Sequence, residues 1–195
     1  MINSSQVSKL SIKIIPENRI KTKLGIIYLC RLLNYKKHFS KSGKASVQRS
    51  VVTLILDDIL ESKYILTHRE NGAPILENKS FNEISISHSN GYFAIYLAYN
   101  EVVGIDVEAK RTINNDGLNY FLNDKEIKHS WSDCELLIIW CAKEAYFKLK
   151  KGEVENLKED VTVNDVLNGK VTLQTPEDCL TLNIAQGDNY SLVYS

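Results

Sequence analysis

The sequence predicts an α+β protein, with helices packed on mostly antiparallel strands in one chain of 195 residues. Three observations carry that expectation. Residues 83–108 hold three short alternating segments with brief polar connections, the pattern of antiparallel strands. Residues 133–151 hold a long apolar run behind a Ser132-x-x-Glu135 capping signal, the pattern of a buried helix. Residues 160–194 then return to short strand-like pieces. Strands and helices segregated along the chain in this way belong to the α+β class.

The elements follow in order. Residues 8–15 (SKLSIKII) alternate and predict a strand closed by Pro16. Residues 20–38 are apolar at helical spacing and end in Lys36, Lys37 and His38, so a helix is expected there. FSKSGKAS is a polar loop around Gly43. Beyond it comes a helix of about four turns, with Arg49 opening its 49–60 core. Residues 64–66 predict a short strand. Asn71-Gly72-Ala73-Pro74 is a turn by its residue chemistry. Residues 83–87, 92–99 and 102–108 predict a three-stranded antiparallel meander. Residues 114–130 are polar and irregular. The 133–151 helix stops at Gly152, and the tail predicts strands at 160–163, 170–174, 180–184 and 190–194.

Composition narrows the function classes. Lys+Arg number 24 and Asp+Glu number 24, a formal net charge of zero, which argues against general nucleic-acid binding. Three Pro and nine Gly are too few for a disordered chain. Cys30, Cys134, Cys141 and Cys179 make no C-x-x-C pair, and Cys134 and Cys141 with His129 fall short of a zinc ligand set. Scattered thiols fit a reducing cytoplasm. The N-terminal segment lacks an apolar core of signal-peptide length, and no apolar run approaches the roughly 20 residues needed to span a bilayer. A cytoplasmic protein with no membrane and no nucleic-acid partner is expected.

Chemistry concentrates in three segments. Alternate residues of a strand share a face, so Asp106 and Glu108 stand side by side within reach of one small cation. The bland alternative is the solvent face of an edge strand. The helix shifts the balance. Leu136 to Ala142 are apolar all round, which means burial. Trp140, Glu144 and Lys148 recur at i, i+4 and i+8 on one face. A surface Glu–Lys pair, worth a few tenths of a kcal/mol, is out of place on a helix with no solvent face in its first half. Ser87-His88-Ser89 adds an imidazole and small hydroxyls in a turn, where backbone N–H groups and the imidazole can face an anion. Three oxygen ligands with Lys and His suggest Mg²⁺-assisted handling of a phosphate ester.

These residues resemble the motifs of the 4′-phosphopantetheinyl transferases, specifically the larger Sfp-type class. The family pattern I-S-H-S stands at Ile86-Ser87-His88-Ser89, G-[IV]-D-[IVL]-E at 104–108, and W-x-x-K-E-[AS]-x-x-K at 140–148. The resemblance runs from about residue 68 to 152. It implies transfer of the phosphopantetheine arm of coenzyme A to a serine of an apo acyl or peptidyl carrier protein, with release of 3′,5′-ADP. It implies Mg²⁺, or Mn²⁺, on Asp106, Glu108 and Glu144. It further implies that Glu144 helps to deprotonate the carrier serine and that Lys148 steadies the transferred phosphate. Ser87, His88 and Lys143 are implied as coenzyme A contacts. The family often has G-[KR]-P where this chain has Gly72-Ala73-Pro74, so a basic group is missing there; Arg49 and the loop lysines Lys41 and Lys44 are the expected replacements.

Size refines the class that the resemblance implies. Shorter members assemble as trimers with the site between subunits, whereas Sfp-type members resemble two such units fused. The expected halves are 1–99 and 100–195, related by a pseudo-twofold, with coenzyme A in the cleft between them and the chain a monomer. The alternative function is a Mg²⁺-dependent phosphohydrolase on a nucleotide-type phosphate ester, using the same carboxylates with water as nucleophile.

Overall fold

The structure is a computed structural model that describes residues 13–33 and 43–195, with the backbone alone at Lys44. β1 (Ile14–Lys21) and β2 (Gly25–Leu32) form where a strand closed by Pro16 and then a helix were expected. Pro16 lies inside β1 because β1 is an edge strand with a register shift between Pro16 and Asn18. A proline is tolerated at such a bulge, where its missing N–H breaks no ladder. β2 is buried on both faces, with Ile27 and Leu29 in one core cluster and Cys30 and Leu32 in another. A strand buried on both sides loses its alternation, so spacing alone cannot tell it from a buried helix. Residues 8–12 and 34–38 of those two expectations lie outside the described residues, as does Lys41.

α1 (Lys44–Ile59) starts earlier than residue 49, so Arg49 lies in its second turn. Its buried face is the i, i+4 set Val51, Val52, Ile55 and Leu56. β3 (Tyr64–His68) and β4 (Pro74–Asn78) form a separate hairpin across the expected turn. β5 (Glu83–Ser89) and β6 (Tyr92–Ala98) are the expected antiparallel pair. β7 (Ile105–Ala109) is a strand, but not the third strand of their meander. It pairs with β11 (Tyr190–Tyr194) at the edge of a second sheet. Alternation identifies a strand and its faces; it does not name the partner.

The irregular stretch holds a short helix, α2 (Asn115–Phe121), capped by the Asn114 side chain, and a 3₁₀ turn at Glu126–Lys128. α3 (Asp133–Leu149) carries the full capping box: the Ser132 hydroxyl accepts from Glu135 N, and the Glu135 carboxylate accepts from Ser132 N. The chain leaves the helix through Gly152 at φ +84°. A one-turn helix, α4 (Leu157–Asp160), leads into β8 (Thr162–Leu167), β9 (Lys170–Gln174), β10 (Cys179–Gly187) and β11.

Three apolar clusters order the layers. α1 packs on one face of the antiparallel sheet β1-β2-β6-β5. The other face of that sheet meets the antiparallel sheet β7-β11-β10-β9-β8 through Tyr92, Ala94, Tyr96, Ile105, Val107 and Leu192. α3 covers the far side of the second sheet through Leu137, Ile139, Cys141 and Ala145 against Val163, Val171, Leu182 and Val193. The result is a helix–sheet–sheet–helix α+β arrangement. Strands of the first sheet lie before residue 99 and those of the second after residue 104. Among the described residues no helix is long and apolar enough to cross a membrane.

Candidate functional site

Gly104 sets the distance between β7 and α3. A Cβ there would run into the Ala145 carbonyl oxygen and the backbone of Leu149. Without one, the helix backbone lies on the strand and brings the Trp140–Glu144–Lys148 face against Asp106 and Glu108. The Lys148 ammonium donates to Asp106 Oδ1 at 2.7 Å. The Trp140 indole N–H donates to Glu108 Oε1 at 3.3 Å. Ser87 and Ser89 donate to Asp106 Oδ1 and Glu108 Oε2, each at 2.6 Å. Asp106 is buried, and its second oxygen, Oδ2, has no hydrogen-bond partner. Glu144 is half-buried; burial and the charges of Asp106 and Glu108 raise its carboxyl above the usual range, against the pull of Lys148. Behind Asp106 the Cys141 thiol is buried and pushed well up, so it is inert.

Two adjoining cavities open beside this cluster. The inner one, about 220 Å³, has Glu144, Lys148 and Lys151 on one wall and Gly72, Ala73 and Pro74 on the other. The outer one, about 620 Å³, is lined by Arg49, His88, Gly72 and Pro74, with Gln48 and His68. They share Gly72, Pro74 and Ile86. His88 Nδ1 lies 3.4 Å from the Gln48 amide, and its ring stands 5.8 Å from that of Phe93. The 71–74 turn is strapped to the helix end: Asn71 Nδ2 donates to Lys151 O at 2.7 Å while its Oδ1 accepts from Ala73 N.

Spacing alone missed Lys151, Gln48 and His68. The lysine follows Lys148 in the run K-L-K-K, and only the strapped turn brings it to the cavity, where it pairs with Glu83 at 3.0 Å. Lys143 does not join the cluster. Its ammonium is fully buried on the far side of α3, on Glu126 Oε2 at 2.7 Å and on the carbonyls of Phe121 and Lys158. One residue is about 100° around a helix, so Lys143 follows the face of the buried Ile139, four residues before it, and not that of Glu144. The Lys44 side chain lies outside the description.

Among the described residues no three carboxylate, imidazole or thiol groups converge as a ready-made metal cage. The donor set is still one for a hard cation, because Asp106 Oδ2 is buried and unpartnered beside two further carboxylates.

Residues 102–192 match the family model of the 4′-phosphopantetheinyl transferase superfamily. The matched span holds Gly104, Asp106, Glu108, Trp140, Glu144 and Lys148. It supports phosphopantetheinyl transfer as the activity class. The cavity walls from Arg49, the 72–74 turn and His88 precede it. No curated protein matches the chain.

Proposed function

We propose that this chain transfers the 4′-phosphopantetheine arm of coenzyme A to a serine of an apo carrier protein, releasing 3′,5′-ADP. The observation that carries this reading is the Lys148–Asp106 pair with Glu144 within charge reach of Asp106 and Glu108, beside two adjoining cavities, with all four groups inside the span that matches the family model.

Asp106, Glu108 and Glu144 would hold Mg²⁺, or Mn²⁺ in its place. Mg²⁺ keeps several waters and takes one or two carboxylates plus substrate phosphate oxygens, so a preformed cage is not required. When bound, it neutralises the pyrophosphate and the charge that grows on the leaving group. Asp106 offers Oδ2 for this, since Ser87 and Lys148 already occupy Oδ1.

The remaining work falls to side chains of the chain itself. Lys148 neutralises the phosphate that bears the pantetheine. Arg49, His88 and Lys151 line the cavities where the other phosphates lie. Glu144 takes the proton of the carrier serine, directly or through one water. The serine oxygen forms a new P–O bond, and the P–O bond to 3′,5′-ADP breaks. Positioning and electrostatics dominate such transfers.

Product release tests the reading. Coenzyme A, Mg²⁺ and an apo carrier should yield 3′,5′-ADP with the wild-type chain and none with folded Asp106→Ala. Release of ADP without a carrier, or with a carrier whose serine is replaced by Ala, would point to a hydrolase. Turnover near wild type in Asp106→Ala at saturating Mg²⁺ would remove the metal assignment.

A further inference from the structure

We propose that Ser87 and Ser89 are positioning residues, each fixing one β7 carboxylate and the adjacent β7 backbone through a single hydroxyl. The geometry is a ladder of side chains between two strands that share no sheet. β7 pairs with β11 on one edge. On its other edge the N–H groups of Ile105, Val107 and Ala109 face β5. Buried N–H groups need acceptors, and Ser85, Ser87 and Ser89 supply them at 3.2, 3.2 and 3.3 Å. These serines alternate along β5, so all three hydroxyls leave one face of that strand.

A serine hydroxyl has one hydrogen and two lone pairs. Ser87 uses a lone pair on Val107 N and its hydrogen on Asp106 Oδ1. Ser89 repeats the pattern on Ala109 N and Glu108 Oε2. Both donated bonds are 2.6 Å, the length of a charge-assisted O–H···O⁻ bond. Backbone and carboxylate are therefore held from one point, and Asp106 is left with Oδ2 as its open oxygen. Ser85 grips Ile105 N in the same way, but the residue before Ile105 is Gly104, so it holds no carboxylate. The ladder thus contains its own control. Ser87 is nearly buried, with its hydroxyl on Asp106, which gives it a role other than the coenzyme A contact expected from the resemblance.

What the carboxylates are positioned for rests on the proposed function; the experiment separates the two. Mn²⁺ affinity is measured on the purified chain by calorimetry, alongside melting temperature and the split of kcat from KM for coenzyme A. Ser87→Ala and Ser89→Ala should weaken Mn²⁺ binding by tenfold or more, the usual effect of losing a group that orients a metal ligand. They should lower kcat more than they change KM, and Ser89→Thr, which keeps the hydroxyl, should restore both readings. Ser85→Ala should lose melting temperature while keeping its Mn²⁺ affinity. Unchanged Mn²⁺ affinity in Ser87→Ala and Ser89→Ala overturns the proposal. So does an equal loss in Ser85→Ala, which would make the ladder a structural seam only. If Ser87→Ala does not fold, the half-buried Ser89 decides alone. A wild-type chain that binds Mn²⁺ but transfers nothing overturns the transfer reading and leaves the serine proposal to the affinities. A wild-type chain that binds no Mn²⁺ overturns both.

Discussion

Glu144 keeps its proton to higher pH than a free glutamate, first because it is buried and then because Asp106 and Glu108 stand near it. Ionising it therefore costs more in the folded chain than in the unfolded one. The sign follows from linkage: its folded pKa is raised, so stability is lost as pH rises from the unfolded value through the folded one. Glu144→Gln removes that loss. In cation-free buffer its melting temperature should exceed that of the wild type, by a margin that grows from pH 4 to pH 8, while phosphopantetheinyl transfer disappears. Scanning calorimetry across that range checks it; a margin that shrinks with pH contradicts the reading. Lys143 obeys a different logic. Burial pushes its ammonium down and Glu126 partly restores it. Lys143→Met should cost about 3–5 kcal/mol by stranding the Glu126 carboxylate, read as a shift in urea midpoint. At this scale the side chains facing β7 were legible, because helix period gives Trp140, Glu144 and Lys148 one face. The destination of Lys143 was not, because Phe121, Glu126 and Lys158 complete its cage from a distance in sequence.

The elements were legible where their cause is local. The capping box lies within four residues, and it forms as read, with the Glu135 carboxyl held below the usual range by its bonds to Ser132. Ser132→Ala should cost about 1 kcal/mol, seen as a lower urea midpoint. A depressed carboxylate pKa contributes stability above the unfolded value that is lost as pH falls through the folded one. The gap between Ser132→Ala and wild type should therefore narrow in acid. Tail strands were legible from short alternating runs. β2 was not, because a strand between two others carries apolar residues on both faces. β7 was legible as a strand with two carboxylates on one face, yet its departure from the β5–β6 hairpin depends on β11, more than eighty residues further on. Gly104 lies on the same divide. It stands in the sequence beside Asp106, but the reason for it is the backbone of α3 resting on the strand.

At the scale of the molecule, zero net charge resolves into a separation. Of the three carboxylates Glu144 lines the inner cavity, with Asp106 and Glu108 behind it on β7, and Lys148, Lys151, Arg49 and His88 spread along the two cavities. The walls come from segments far apart in the chain: α1, the 72–74 turn and β5 on one side, α3 on the other. Lys151 stands beside the turn that lacks its own basic residue. Lys151→Ala should raise KM for coenzyme A about tenfold, the value of one charge-assisted hydrogen bond of roughly 1.5 kcal/mol, with kcat changed less. Ala73→Lys in that variant should recover part of the loss. Unchanged KM in Lys151→Ala would take the 72–74 side of the inner cavity out of nucleotide binding. The most direct measurement is the intact mass of an apo carrier protein after incubation with the chain, coenzyme A and Mg²⁺. The carrier serine should gain one phosphopantetheine, a gain absent with Glu144→Ala. Consumption of coenzyme A with the carrier mass unchanged would contradict it.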